Sequence, residues 1–174
     1  KQMTDETLDG PGPLYSKISG PYRRHTEPGP LRGQLIEGAW SSPELELTAN
    51  LPWVWTEKLD GSSGRVKFDG FRVTFGGRTN KADLQPAVVE MLEQTFQETL
   101  FEQAFGDTEV VLYGELTSPK IQKVGHFYGP DPKFTLFDVK IGGMWLLRES
   151  VEEIATQLGV PVVPVIHRGT IQEA

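Results

Sequence analysis

Cysteine is absent from the 174 residues, which excludes disulfides and thiolate metal sites. No apolar run approaches the ~20 residues that a membrane-spanning helix requires. No stretch has the charged-then-apolar layout of a secretory signal. Histidine is scarce, with three in the chain. His126 and His167 form no metal or acid–base set with other residues and read as surface or structural positions. An overall positive charge is missing too: 17 Lys and Arg against 24 Asp and Glu leave a net charge of −7. That argues against a nucleic-acid coat protein, which is usually basic throughout. What is present, 37% hydrophobic and 10% aromatic residues, is enough to build a folded core. The length suits one domain, and the lack of cysteine fits an intracellular protein.

The charges are unevenly placed. Lys58, Arg65, Lys67, Arg72, Arg78 and Lys81 fall within one short stretch, whereas no Lys or Arg occurs from Ala82 to Pro119. A locally basic site on an acidic protein suits a phosphate group. The plainer reading is a solvated hairpin with scattered charges.

Residues 1–33 are rich in Gly and Pro and read as an irregular N-terminal arm. From Trp53 the pattern becomes regular. Trp53 to Glu57 reads as a strand. Residues 65–68 and 71–75 alternate with period two around Asp69-Gly70, a hairpin signal because Asp-Gly readily takes the positive φ of a tight turn. Residues 83–105 read as one helix, with Val88, Leu92, Phe96 and Leu100 at helical spacing, Pro86 near its start and Gly106 ending it. Val110 to Leu116 is a strand. Residues 134–139 and 144–147 form a second hairpin around Gly142-Gly143. Ser150 and Glu153 match a capping box for a short helix from Val151 to Leu158, stopped at Gly159. Val162 to Ile166 is a last strand, placed at an edge by Pro164. The sum is an α+β domain of mainly antiparallel sheets with flanking helices.

The segment Glu57-Lys58-Leu59-Asp60-Gly61-Ser62-Ser63-Gly64-Arg65 carries the chemical signal. A lysine at a strand end enters a Gly/Ser-rich turn. Its amine is a nucleophile only when unprotonated, which partial desolvation beside other positive charge promotes. Small residues after it let a phosphate approach the backbone, and Asp60 can orient the amine. Taken alone, the fragment also reads as an ordinary hairpin turn with a solvated lysine before it.

Lys58-Leu59-Asp60-Gly61 resembles the first motif of the covalent nucleotidyltransferases: RNA ligases, DNA ligases and capping enzymes. Its flanks look most like the phage-type, nick-sealing, ATP-dependent RNA ligases. Three further matches follow in order. Gly77-Arg78-Thr79 resembles the motif whose arginine contacts the ribose and phosphate side of the nucleotide. Tyr113-Gly114-Glu115-Leu116 resembles the third motif, whose glutamate lies beside ribose and metal. Phe134-Thr135-Leu136-Phe137-Asp138-Val139 resembles the strand motif whose Phe-Asp pair sets a ring on adenine. Ile121-Gln122-Lys123 and Tyr128 look like the family's connecting segment. Singly, Phe137 reads as core, Arg78 as surface, Glu115 as an edge residue and Asp138 as a turn residue.

The resemblance implies a nucleotidyltransferase (ATP-grasp-like ligase adenylation) domain over residues 34–174. It implies that Lys58 becomes adenylylated, with Glu57, Lys58, Leu59, Asp60, Gly61, Arg65, Arg78, Glu115, Phe137 and Asp138 around the nucleotide. ATP and Mg²⁺ are the implied cofactors, with Glu115 a metal ligand. The implied partners are RNA ends or a nicked duplex in the cytoplasm, without a membrane. A DNA ligase adenylation domain, or a non-catalytic relative that binds nucleotides or nucleic-acid ends, is the alternative. The sequence also departs from the family. The later Glu-Gly and Lys-x-Lys motifs are missing after Asp138, and no Lys follows Lys140. The adenylation domain is therefore expected to be incomplete at its C-terminus, completed by a missing segment or partner chain, and weak in adenylylation by itself.

Overall fold

A computed structural model describes residues 10–173. In chain order the elements are β1 (Tyr22–Arg24), β2 (Leu35–Trp40), α1 (Pro43–Leu47), β3 (Trp53–Thr56), β4 (Ser62–Phe68), β5 (Val73–Gly76), α2 (Pro86–Thr95), α3 (Glu98–Phe105), β6 (Val110–Thr117), β7 (Lys133–Ile141), β8 (Met144–Trp145), α4 (Arg148–Leu158) and β9 (Val165–Gly169). They fall into two compact units. One comprises the segment ending at Tyr15 together with Lys58–Val163; the other comprises Ser16–Glu57 with the residues from Pro164 onward.

The smaller unit holds two antiparallel pairs, β1 with β2 and β3 with β9. Tyr22 and Trp40 face each other across the first pair, with ring centroids 4.8 Å apart. Ser42 caps α1 by accepting from Leu45 N at 3.3 Å, and Pro43 follows at the first helical position, where its missing N–H has no consequence. The segment expected to be irregular thus contains one strand, β1; its residues 1–9 lie outside the described residues. The expected last strand at Val162 to Ile166 is displaced. Pro164 has no N–H to donate, so the ladder to β3 starts after it, at Val165. The Pro164 carbonyl accepts from Glu57 N at 3.0 Å.

The larger unit is built on a five-stranded antiparallel sheet in the order β5-β4-β6-β7-β8. Period-two alternation gives this sheet two unlike faces. Val66 and Phe68 of β4, Val110 and Leu112 of β6, and Leu136 and Val139 of β7 belong to the buried core. Val88 and Leu92 of α2, Phe101 of α3 and Val151 of α4 complete it. A buried ring such as Phe101 contributes about 2–3 kcal/mol relative to an exposed one. The intervening residues Arg65, Lys67, Tyr113, Glu115 and Phe137 lie on the opposite face.

Turn chemistry follows the glycines. Gly142 (φ 54°) and Gly143 (φ 85°) both take positive φ between β7 and β8, as a two-residue hairpin turn requires. The Asp69-Gly70 connection is longer than a two-residue turn, because Phe68 pairs with Val73. Asp69 Oδ1 accepts from both Phe71 N and Arg72 N, which stabilises a four-residue loop instead. The single helix expected over 83–105 is broken between α2 and α3. Phe96 leaves the helix to pack edge-on against Phe134 at 5.1 Å, and the chain restarts from an extended Gln97. No Gly or Pro marks that break, so tertiary packing decides it. The expected capping box at Ser150 does not form. The helix begins at Arg148, which bonds Glu152 one turn on at 2.7 Å and the Val163 carbonyl at 2.6 Å. Gly159 ends α4 in the left-handed conformation, with Val160 N reaching back to Ala155 O at 2.9 Å.

The glycine of Tyr113-Gly114-Glu115-Leu116 has a packing reason. A Cβ at Gly114 would sit 2.3 Å from the Phe134 ring. Gly114→Ala is therefore expected to lower stability by about 1–3 kcal/mol through overpacking, measured by urea unfolding; an unchanged midpoint would contradict this packing.

Candidate functional site

The turn after Lys58 is held by bonds from distant strands and loops. Glu115 Oε1 accepts from Gly61 N at 3.0 Å. Tyr128 Oη accepts from Asp60 N at 2.9 Å. Gln122 Nε2 donates to the Gly61 carbonyl at 3.1 Å. Gln122 takes φ 57°, the one positive φ outside glycine among the described residues. A side chain at Gly61 would fall 2.3 Å from the Leu116 carbonyl, so only glycine fits.

Glu115 is half-buried, and that burial raises its carboxyl above the ordinary Glu range. The Gly61 N–H and the positive charge of Lys58 pull it back part of the way. Lys58 and Glu115 thus act on each other electrostatically. The Lys58 side chain itself is exposed, so the surrounding residues do not supply the desolvation that the sequence led one to expect. Leu59 is half-buried beside it and Asp60 exposed.

Phe137 and Asp138 owe their placement to an irregularity in β7. Tyr113 pairs with Asp138 but Gly114 pairs with Leu136, so Phe137 is an extra residue. Such a bulge interrupts the alternation. Leu136 and Val139 both enter the helix-side core, while Phe137 and Asp138 share the opposite face. Tyr15 meets them there. Its hydroxyl donates to Asp138 Oδ2 at 2.5 Å, and its ring lies edge-on to Phe137 at 5.0 Å. Tyr113 and Trp145 complete an aromatic cluster around it, at 5.2 and 5.5 Å from the Tyr15 ring. Burial pushes the Tyr113 phenol up to about 12 and the Tyr15 phenol higher still. Burial also raises the Asp138 carboxyl, which the Tyr15 hydroxyl and the charge of Arg148 partly offset.

The remaining expected site residues divide. Arg65 is almost wholly buried, and its guanidinium donates to Gly77 O at 3.0 Å, to Asn80 Oδ1 at 2.9 Å and to Gly12 O. It braces the loop after β5 and the N-terminal segment against β4, and presents no free donor fork toward a nucleotide. Arg78 is exposed on that loop, and Glu57 is exposed in the other unit. Among the described residues no group of three His, Cys, Asp or Glu side chains is placed to hold a metal, and the carboxylates at the Lys58 turn are Glu115 and the exposed Asp60, whose charge acts on it. Mg²⁺ is commonly held by one or two carboxylates plus substrate phosphates, and one carboxylate fits that pattern. Sequence reasoning missed Tyr15 altogether; nothing in its neighbourhood signals a ring 123 positions away from its carboxylate partner. Tyr113 was open to detection, because it alternates with the core positions Leu112 and Gly114 of β6; the two-residue strand holding Trp145 has no such alternation.

A prediction follows from Glu115. Its raised carboxyl favours the folded state when protonated, and that contribution fades as pH rises through the folded value. Glu115→Gln keeps an acceptor for Gly61 N and removes the ionised form. Denaturant unfolding is expected to find the variant modestly more stable at pH 7, solvent screening of this half-exposed group keeping the gain small. The difference is expected to vanish as pH falls below 4.5, the ordinary value for this group. A variant less stable at pH 7 would contradict the burial of this charge.

Comparison with known proteins identifies the family and the fold. A model of the RNA ligase family matches residues 51–174. A search of curated proteins finds no match. Among solved structures, a lysine-to-alanine mutant of Naegleria gruberi RNA ligase with ATP and Mn aligns at a TM-score of 0.62 and 21% identity, over 74% of this chain and 40% of that one. The same ligase with PPi aligns at 0.62 and 19% identity, over 98% and 50%. An apo aspartate-to-alanine mutant aligns at 0.62 and 18%, over 99% and 51%. The likeness is one of fold, mixed helices with antiparallel sheet, and this chain spans about half or less of the matched ligases. No helix among the described residues is long and apolar enough to cross a membrane.

Proposed function

Because the chain belongs to the RNA ligase family, we propose that it is the adenylation part of an ATP-dependent RNA ligase, with Lys58 as the nucleophile. The observation that carries the reading is the shared turn: Glu115 of the third motif grips Gly61 of the first, beside Lys58. The relatives of known structure include ligase complexes with ATP, AMP or PPi. Those are the substrate, the transferred group and the leaving group of an adenylylation.

In this reading the unprotonated Lys58 Nζ attacks the α-phosphorus of ATP. The N–P bond forms, the bond from that phosphorus to the bridging oxygen breaks, and pyrophosphate departs with the electron pair. The proton lost from Nζ passes to solvent. The lysyl-AMP formed then gives its adenylyl group to a 5′-phosphate RNA end, and a 3′-hydroxyl displaces AMP to seal the strand. Holding nucleophile and phosphate in line supplies much of such a rate enhancement. Gly61 lets the turn close tightly against β6 below the phosphates. Phe137 would stack on adenine, with Asp138 beside it and Arg78 toward the ribose and phosphates. A divalent cation such as Mg²⁺, held in part by Glu115, would neutralise charge on the phosphates. The domain itself we assign to residues 34–174.

One observation favours the second reading, a relative that binds nucleotides or nucleic-acid ends without turnover. The Phe137 ring is already in edge-on contact with Tyr15, 5.0 Å between centroids, and adenine would have to share it.

Labelled ATP with Mg²⁺ separates the two. This chain is expected to take up slow, substoichiometric, acid-labile label, because it has no Lys-x-Lys pair to receive charge on the phosphates. Lys58→Ala is expected to lose the label entirely while keeping its fold. Label persisting in that variant, or none in the unmutated chain, would contradict the assignment.

A further inference from the structure

We propose that the connection between β6 and β7 is a landing surface for an RNA end, on which a terminal base stacks against Phe127 and backbone phosphates meet Lys120 and Lys123. The proposal rests on the ligase reading above and adds to it the part of the chain that receives the polynucleotide.

Charge and exposure point to this ligand. Ser118 to Pro130 contains no Asp or Glu, yet carries Lys120, Lys123 and His126 on a chain of net charge −7. Both lysines are exposed. Phe127 is 78% exposed, which apolar burial alone would not favour. Its ring lies against that of His126, with centroids 4.1 Å apart, so two rings form one small platform. Unpaired bases of RNA stack on such rings, and their phosphates seek nearby cations. An apolar protein partner would cover the ring and leave both cations unmatched, so a polyanion with aromatic bases fits the pair of features better.

The platform is also fixed in place. Residues Gly125–Tyr128 form a 3-10 turn with Phe127 N bonded to Val124 O at 2.9 Å. A Cβ at Gly125 would stand 2.1 Å from the Ser118 carbonyl, so the loop closes tightly on its own base. Lys133 Nζ donates to the Tyr128 carbonyl at 2.9 Å. Two bonds then tie this loop to the Lys58 turn, Asp60 N to Tyr128 Oη and Gln122 Nε2 to Gly61 O. The loop that carries Phe127 is thereby joined to the turn after the nucleophile. Phe71 is as exposed, at 77%, but it sits between Asp69 and Arg72 on the β4–β5 loop, and no bond ties it to Lys58.

Fluorescence anisotropy with a short, labelled, single-stranded RNA, titrated at several salt concentrations on the full chain, tests this. Phe127→Ala is expected to weaken binding about 10-fold with the salt slope unchanged, and Phe127→Tyr to restore it. The double variant Lys120→Ala, Lys123→Ala is expected to reduce the slope of log affinity against log salt by about 1.4. Circular dichroism checks that each variant folds. Failure of the unmutated chain to bind RNA, or equal binding by Phe127→Ala, would overturn the proposal. Label transfer from ATP to Lys58 without RNA is measured in parallel. Intact labelling with RNA binding indifferent to Phe127 sinks the surface alone; lost labelling with Phe127-dependent binding sinks the adenylylation reading alone.

Discussion

The bond from Gly61 N to the Glu115 carboxylate is the constraint on which the site depends. It joins the turn after the nucleophile to β6, the central strand of the sheet. The spacing is tight, since the Leu116 carbonyl leaves no room for a Cβ at Gly61. The position of Lys58 is therefore set by the sheet rather than by its own short turn. Burial of the carboxylate outweighs what the charge in this hydrogen bond contributes, so the bond fixes position more than it adds stability. It also brings the Glu115 carboxylate under the influence of the Lys58 charge, which lowers the carboxyl part of the way back toward its ordinary range.

The two faces of the sheet divide the work. The helix side carries the stability: Phe68, Phe101, Phe96 and Phe134 pack there with the aliphatic residues of α2, α3 and α4. The other side carries the polar groups, among them Arg65, Lys67 and Glu115. Lys67 is buried and pairs with Glu109 at 3.1 Å, while Arg65 is spent on three backbone and amide oxygens. The bulge at Phe137 transfers two adjacent residues of β7 to this second face. Without it, either Phe137 or Asp138 would point into the helix core.

Much of this was legible in the residues. The alternation in β4 and β6, the Gly142-Gly143 turn, the glycine ending α4 and the ordered motifs from Lys58 to Asp138 all reflect local rules or strict chemical needs. The break between α2 and α3 was not legible, because Phe96 leaves its helix for a ring 38 positions later and no local residue announces it. The start of α4 was misplaced because a Ser-x-x-Glu pattern is common inside first turns, and the bonds of Arg148 to Glu152 and Val163 favour an earlier beginning. The role of Arg65 was hidden for a similar reason. A guanidinium near a phosphate-binding turn looks like a ligand until its three acceptors are known. Tyr15 depends wholly on long-range packing. The β1–β2 pair carries too little alternation to stand out.

Amide hydrogen exchange at Asp60 and Gly61, resolved by NMR, measures the central constraint directly. The account predicts that both amides exchange about 100-fold or more slowly than in an unstructured turn. In Tyr128→Phe, Asp60 should lose its protection while Gly61 keeps it. Exchange of Gly61 at the rate of a free turn would contradict the account, since the amine at position 58 would then have no fixed place beside Glu115.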